Sequence, residues 1–183
     1  MSFEAEFYTY DHVIKGVVET PQERLSDYLN WKNETSIVVH NARISRLLSL
    51  GKSPPILMHE ARVEKHSILF ALPVELDMTT KSLYRRTTRL VFPVGVILPN
   101  FELIGSVHLT EKIDIHRVLL SKPEDFIPLT NAFAVYSLYP AVAVGRSTLI
   151  FNKNRMILIG EHAPPDSPFE PAKPSQPSQQ NQS

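Results

Sequence analysis

Apolar and polar residues alternate from the start of the chain. Phe3, Ala5 and Phe7 interleave with Glu4, Glu6 and Tyr8, the period of a strand with one face buried and the other exposed. Asp11-His12 sits where a turn should reverse the chain, and a second strand runs through Ile14-Lys15-Gly16-Val17-Val18. Thr20-Pro21-Gln22-Glu23 then has the form of a helix start, with Thr20 as the cap, proline in the first turn and glutamate three residues after the cap. Leu25, Tyr28 and Leu29 follow at the spacing of one apolar helix stripe. Further strands are predicted at Ser36–His40, Ile44–Leu48, Ile56–Val63 and Ile68–Leu72.

The second half of the chain echoes the first. Leu103-Ile104-Gly105-Ser106-Val107 answers the Gly16 strand, with Pro99-Asn100 at the preceding turn. Ile127-Pro128-Leu129-Thr130-Asn131-Ala132 answers Ile37-Val38-Val39-His40-Asn41-Ala42, and Phe151-Asn152-Lys153-Asn154-Arg155-Met156 answers Val63-Glu64-Lys65-His66-Ser67-Ile68. Each match is thin alone. Three in the same order, at nearly the same separation, predict an internal repeat. The helix stripe returns as Ile115, Val118 and Leu119, ending before Pro123, and strands are predicted at Phe126–Thr130, Phe133–Leu138, Val142–Phe151 and Met156–Gly160. Pro93 within the strand before Gly105 suggests an edge or a bulge.

The predicted fold is mainly β: two tandem small barrel-like or sandwich-like units, each with one short helix. Residues 1–74 form the first unit and 88–162 the second. Between them, 75–87 reads as a basic linker, and 163–183 as a tail rich in proline, serine and glutamine. The tail is expected to be disordered, because Phe169 is its one large apolar side chain and cannot offset the entropy of ordering. A proline-rich ligand for an aromatic groove is the functional alternative for it.

Composition narrows the functional classes. With 19 positive and 19 negative side chains, the molecule has no net field to gather nucleic acid or anionic lipid, so electrostatic recognition must be local. The lack of cysteine excludes disulfides, thiolate nucleophiles and cysteine-bound zinc, and agrees with a reducing compartment. No secretory leader is read in the acidic amino terminus and no apolar run is long enough for a membrane helix. Cytoplasmic localisation without membrane contact is therefore expected.

The Arg24-Leu25-Ser26-Asp27-Tyr28-Leu29-Asn30 segment of the first half and Phe126-Ile127-Pro128-Leu129-Thr130-Asn131-Ala132 of the second resemble motifs of a bacterial domain family with tandem small β-domains and no assigned function. The likeness covers both halves but not the tail. It implies the tandem arrangement and no activity. The Asn41-Ala42 and Asn131-Ala132 blocks are also similar to Sm-like or SH3-like small barrels. The Arg-Gly pair that helps Sm-like proteins hold a base is replaced here by Glu64-Lys65-His66 and Asn152-Lys153-Asn154.

Candidate chemistry is sparse. His12, His40, His59, His66, His108, His116 and His162 show neither H-x-H nor H-E-x-x-H spacing, so no metal or other cofactor is expected. Gly145-Arg146-Ser147-Thr148 lacks the second glycine and the lysine of a phosphate loop. Asp11, Asp27, Asp114 and Asp125 would pair only across distance, and Asp114 is explained by helix capping. No catalytic residues are assigned. Lys81, Arg85, Arg86 and Arg89, with Tyr84 among them, are the one candidate polyanion contact, although a solvated linker is the plainer reading. The expected function is non-enzymatic binding or assembly, with a protein partner or self-association. The alternatives are a nucleic-acid-binding small barrel and an enzyme with its site between the two units.

Overall fold

The computed structural model describes residues 1–74, 90–109, 117, 119 and 121–162. The 75–87 linker, residues 88–89 and the 163–183 tail lie outside this set. The described chain is mainly β, with ten strands in one antiparallel sheet. They are β1 (Ser2–Tyr8), β2 (His12–Glu19), β3 (Ser36–Arg46), β4 (Ile56–Glu64), β5 (Phe70–Pro73), β6 (Leu90–Leu98), β7 (Phe101–Leu109), β8 (Phe126–Tyr136), β9 (Ala143–Asn152) and β10 (Leu158–Glu161). One helix, α1 (Leu25–Asn30), lies between β2 and β3, and short 3-10 turns at Lys65–Ser67 and Lys153–Arg155 precede β5 and β10. No helix among the described residues is long and apolar enough to cross a membrane.

The order across the sheet is β10-β6-β7-β8-β9-β5-β1-β2-β3-β4. On each side of the β9–β5 contact the chain follows the same path: three consecutive antiparallel neighbours, a fourth strand outside the third, and a fifth returning beside the first. At the centre, β5 pairs with β9 through Phe70–Phe151 and Ala71–Ile150. The Asn152 amide donates to the Leu69 carbonyl at 2.8 Å. Strand addition thus joins the two halves.

Several local expectations are corrected by this arrangement. The strands predicted to break after His40 and Thr130 instead run on as β3 and β8. Their partners skip a step there, between Lys15 and Val17 of β2 and between Ile104 and Ser106 of β7. Asn41 and Asn131 take the extra step with φ of 52° and 47°, a left-handed conformation asparagine tolerates and bulges use. Opposite each bulge stands a glycine. A Cβ on Gly16 would lie 2.6 Å from the His40 carbonyl oxygen and 2.6 Å from Val39; on Gly105 it would lie 3.2 Å from Leu129, Ala132 and the Thr130 oxygen. Close backbone approach therefore accounts for glycine at both positions.

Thr20 does not cap the helix. α1 starts at Leu25 with Arg24 at its N-cap and no side-chain cap bond. The Thr20 amide donates to the Met1 carbonyl at 2.9 Å, extending the β1–β2 ladder. Its hydroxyl accepts from the Gln22 amide at 3.1 Å, closing a local turn before the helix. Leu25, Tyr28 and Leu29 are buried as the stripe implies. Of the second predicted helix, Arg117, Leu119 and Ser121 are helical and Leu119 is buried.

Pro93 is on neither an edge strand nor a register shift, since β6 lies between β7 and β10. The β10 ladder reaches only Val94, and the Pro93 carbonyl accepts from His162 just beyond it at 2.9 Å. N–H and C=O of one strand residue point to the same side, so the missing N–H falls where pairing ends.

Glu6 and Tyr8, expected on the exposed face of β1, are both buried. β1 is interior to the sheet, and both of its faces are covered. One apolar cluster joins Tyr8, Leu69, Phe70 and Leu72 to Val94, Phe101, Leu129 and Phe151. Phe70 stacks on Tyr8 at 4.4 Å and meets Phe101 edge-on at 4.9 Å. The other cluster lies beneath α1 and combines Phe7, Val18, Leu29 and Ile37 with Phe126 and Ile150. Each core therefore draws side chains from both halves.

Candidate functional site

The richest polar chemistry gathers where the halves meet. Asn30, the last residue of α1, reaches across the joint. Its side-chain oxygen accepts from the Asp125 amide at 2.9 Å and the Phe126 amide at 2.8 Å, while its nitrogen donates to the Phe126 carbonyl at 2.8 Å. Asn152, 3% exposed, donates to the Ile68 carbonyl at 3.0 Å. Arg155 donates through Nε to the His66 carbonyl at 2.6 Å. These backbone-directed bonds fix the joint.

Lys65 works just beside it. Its ammonium donates to the Tyr28 carbonyl at 2.9 Å and the Trp31 carbonyl at 2.8 Å, so that Tyr28, which also accepts from the Trp31 amide at 3.1 Å, has two donors at the end of α1. Nζ also lies 5.3 Å from the centre of the Tyr28 ring. Burial lowers the Lys65 pKa, with the Glu34 carboxylate pulling the other way. Lys153 has the same task in the second half, donating to the carbonyls of Leu119 and Lys122.

A recess of about 480 Å³ opens over this region, lined by Trp31, Lys32, Lys65, His66, Asp125 and Arg155 among others. Lys32 is paired with Asp125. Burial pushes the Asp125 pKa upward, but hydrogen bonds from Lys32 and Asn154 and the charges of Lys32 and Lys153 outweigh it and hold the carboxyl below its usual value. Lysine and arginine here are committed to carbonyls or to a carboxylate. The recess serves first as a joint.

A second polar group sits on β1. The Glu6 carboxylate accepts from the Tyr8 hydroxyl at 2.8 Å and from Lys15 at 2.8 Å, with Arg146 of β9 at 3.8 Å. Burial, and next the Glu6 charge, push the Tyr8 hydroxyl far above its usual pKa. Hydrogen bonds of this kind offset the cost of enclosing a polar group.

The sequence candidates are scattered. Lys81, Arg85, Arg86 and Arg89 lie outside the described residues, as do His116 and Asp114. His12 contacts Asp11 at 2.7 Å, and His108 contacts Thr130 at 2.8 Å. His40 and His66 stand 4.0 and 3.9 Å from Glu60 and Glu64. His59 is exposed on β4, and the His162 amide closes the end of the β6–β10 ladder. Asp27 is on α1, remote in sequence from Asp125 at the joint. Gly145 to Thr148 are strand residues of β9. Among the described residues, no group of three or more His, Asp or Glu is placed to share a metal ion.

Sequence reasoning missed Asn30, Glu6 and Lys65 as structural centres, and it missed the ends of the sheet. Among the described strands, β4 and β10 each have a neighbour on one side only. On β4, Ile56, Leu57 and Met58 are 57%, 70% and 44% exposed; at β10, Ile157 and Leu158 are 68% and 56% exposed. Apolar side chains beside unpaired backbone groups form a template for adding another strand. The lysine signal was available in the matched Glu64-Lys65-His66 and Asn152-Lys153-Asn154 blocks; the sheet ends carried no comparable signal. Comparison with protein-family models, curated proteins and solved structures finds no match to this chain.

Proposed function

We propose that this chain is a non-enzymatic assembly protein, made of two tandem copies of one small β-unit, residues 1–74 and 88–162, and joined to other protein through the end strands of its sheet. The observation that carries this reading is the set of exposed apolar residues along β4 and at the start of β10, in a molecule whose halves already meet by strand addition. The tandem reading is supported by the identical strand path in each half, the paired Gly16–Asn41 and Gly105–Asn131 bulges, and the shared carbonyl-binding role of Lys65 and Lys153.

The mass in solution tests this function. Light scattering behind a sizing column should give the wild type a mass above the 20.8 kDa of one chain. Leu57→Lys on β4 or Leu158→Lys on β10 should lower it, because a charge at an edge position opposes pairing. A wild type that stays at the single-chain mass over a wide concentration range contradicts the assembly function.

A further inference from the structure

We infer that the protein seated on these end strands is a second copy of this chain, joined head to tail with β4 of one copy against β10 of the next. This rests on the assembly reading and adds to it the identity of the partner and the polarity of the joint.

The internal β9–β5 contact supplies the template. In each half, strands can be matched by their place in the sheet and by the 3-10 turn before the returning strand. Phe70 of β5 then corresponds to Leu158 of β10, and Leu69 to Ile157. On the other side, Phe151 of β9 corresponds to Val63 of β4, and Arg146 to Met58. Both Arg146 and Met58 face an alanine on the neighbouring strand, Ala132 and Ala42. The internal joint unites unlike strands, and among the described strands one of each kind is left with a free side.

Burial makes the same point. Leu69 and Phe70 are fully buried at the internal joint, whereas their counterparts Ile157 and Leu158 are equally apolar and mostly exposed. The side contacts change character together. Arg146 lies 3.8 Å from Glu6 across the internal joint. The corresponding positions are Met58 and Gly95, and a Cβ on Gly95 would meet nothing within 4 Å. A charged contact inside the chain is thus matched by an apolar side chain and open space at its ends. In the joint between copies, Leu158 pairs with the partner's Val63, and the partner's Glu64 amide donates to the Ile157 carbonyl. Such a joint is heterologous, so copies add in one direction and either close into a ring or run on as a filament.

The test uses two full-length variants with one blocked end each, Leu57→Lys/Met58→Lys and Ile157→Lys/Leu158→Lys. All four positions are exposed, and circular dichroism checks that the fold is kept. If either pair unfolds the chain, Leu57→Glu and Ile157→Glu replace them in the same design. Each variant alone should have the mass of one chain, and an equal mixture should form a species of two chains, since one intact β4 meets one intact β10. A variant that still dimerises alone, in a mixture that forms no species holding both variants, would show a like-with-like joint; head-to-tail joining then fails and assembly stands. A monomeric wild type removes both. Growth of the mixture beyond two chains also overturns the proposal.

Discussion

Phe70→Ala lowers the stability of the whole sheet by about 4 kcal/mol, as expected when a large aromatic leaves a closed core. Phe70 is fully buried, stacked on Tyr8 from its own half and edge-on to Phe101 from the other. The void would therefore open between the halves. Because both apolar clusters mix residues from the two halves, one cooperative transition should persist and move to lower denaturant. Fluorescence of Trp31 in the first half and far-ultraviolet circular dichroism of the whole sheet should report the same midpoint. Two separate transitions, with only one displaced, would show that the halves are stabilised independently.

Lys65→Met is the second large effect, a loss of about 3 kcal/mol. Methionine keeps much of the apolar stem while removing the ammonium that holds the Tyr28 and Trp31 carbonyls. Hydrogen bonds from a charged donor contribute roughly 1.5–3 kcal/mol each, and the open recess lets water replace part of what is lost. Denaturant melting measures the change. Lys65→Arg should recover some of it, whereas a neutral result for Lys65→Met would mean the carbonyls need no cation. Loss of this clamp should also loosen Asn30, which follows Tyr28 on α1 and makes three bonds to the second half.

Most strands were legible because alternation along a strand is a local property. The N-cap reading of Thr20 failed for a local reason too: a threonine hydroxyl accepting from the amide two residues on occurs in turns as well as at helix starts, and Thr20 is held by the sheet. Glu6 and Tyr8 were misplaced because alternation separates two faces but does not say whether both are covered. Asn41 and Asn131 looked like strand ends because a bulge uses the same left-handed asparagine that a turn uses. The candidate site was less legible. Asn30 finds its partners at Asp125 and Phe126, far along the chain, and nothing near it in sequence announces them. Leu57 and Leu158 read as ordinary strand residues; only the order of the strands places them at the ends of a sheet.

Hydrogen–deuterium exchange across the two end strands tests the central claim most directly. At high protein concentration, peptides covering residues 56–64 and 157–161 should exchange slowly, and dilution should speed both together while the central β5 and β9 peptides stay protected. If the end-strand peptides exchange at the same rate at every concentration, β4 and β10 are not where this protein is joined.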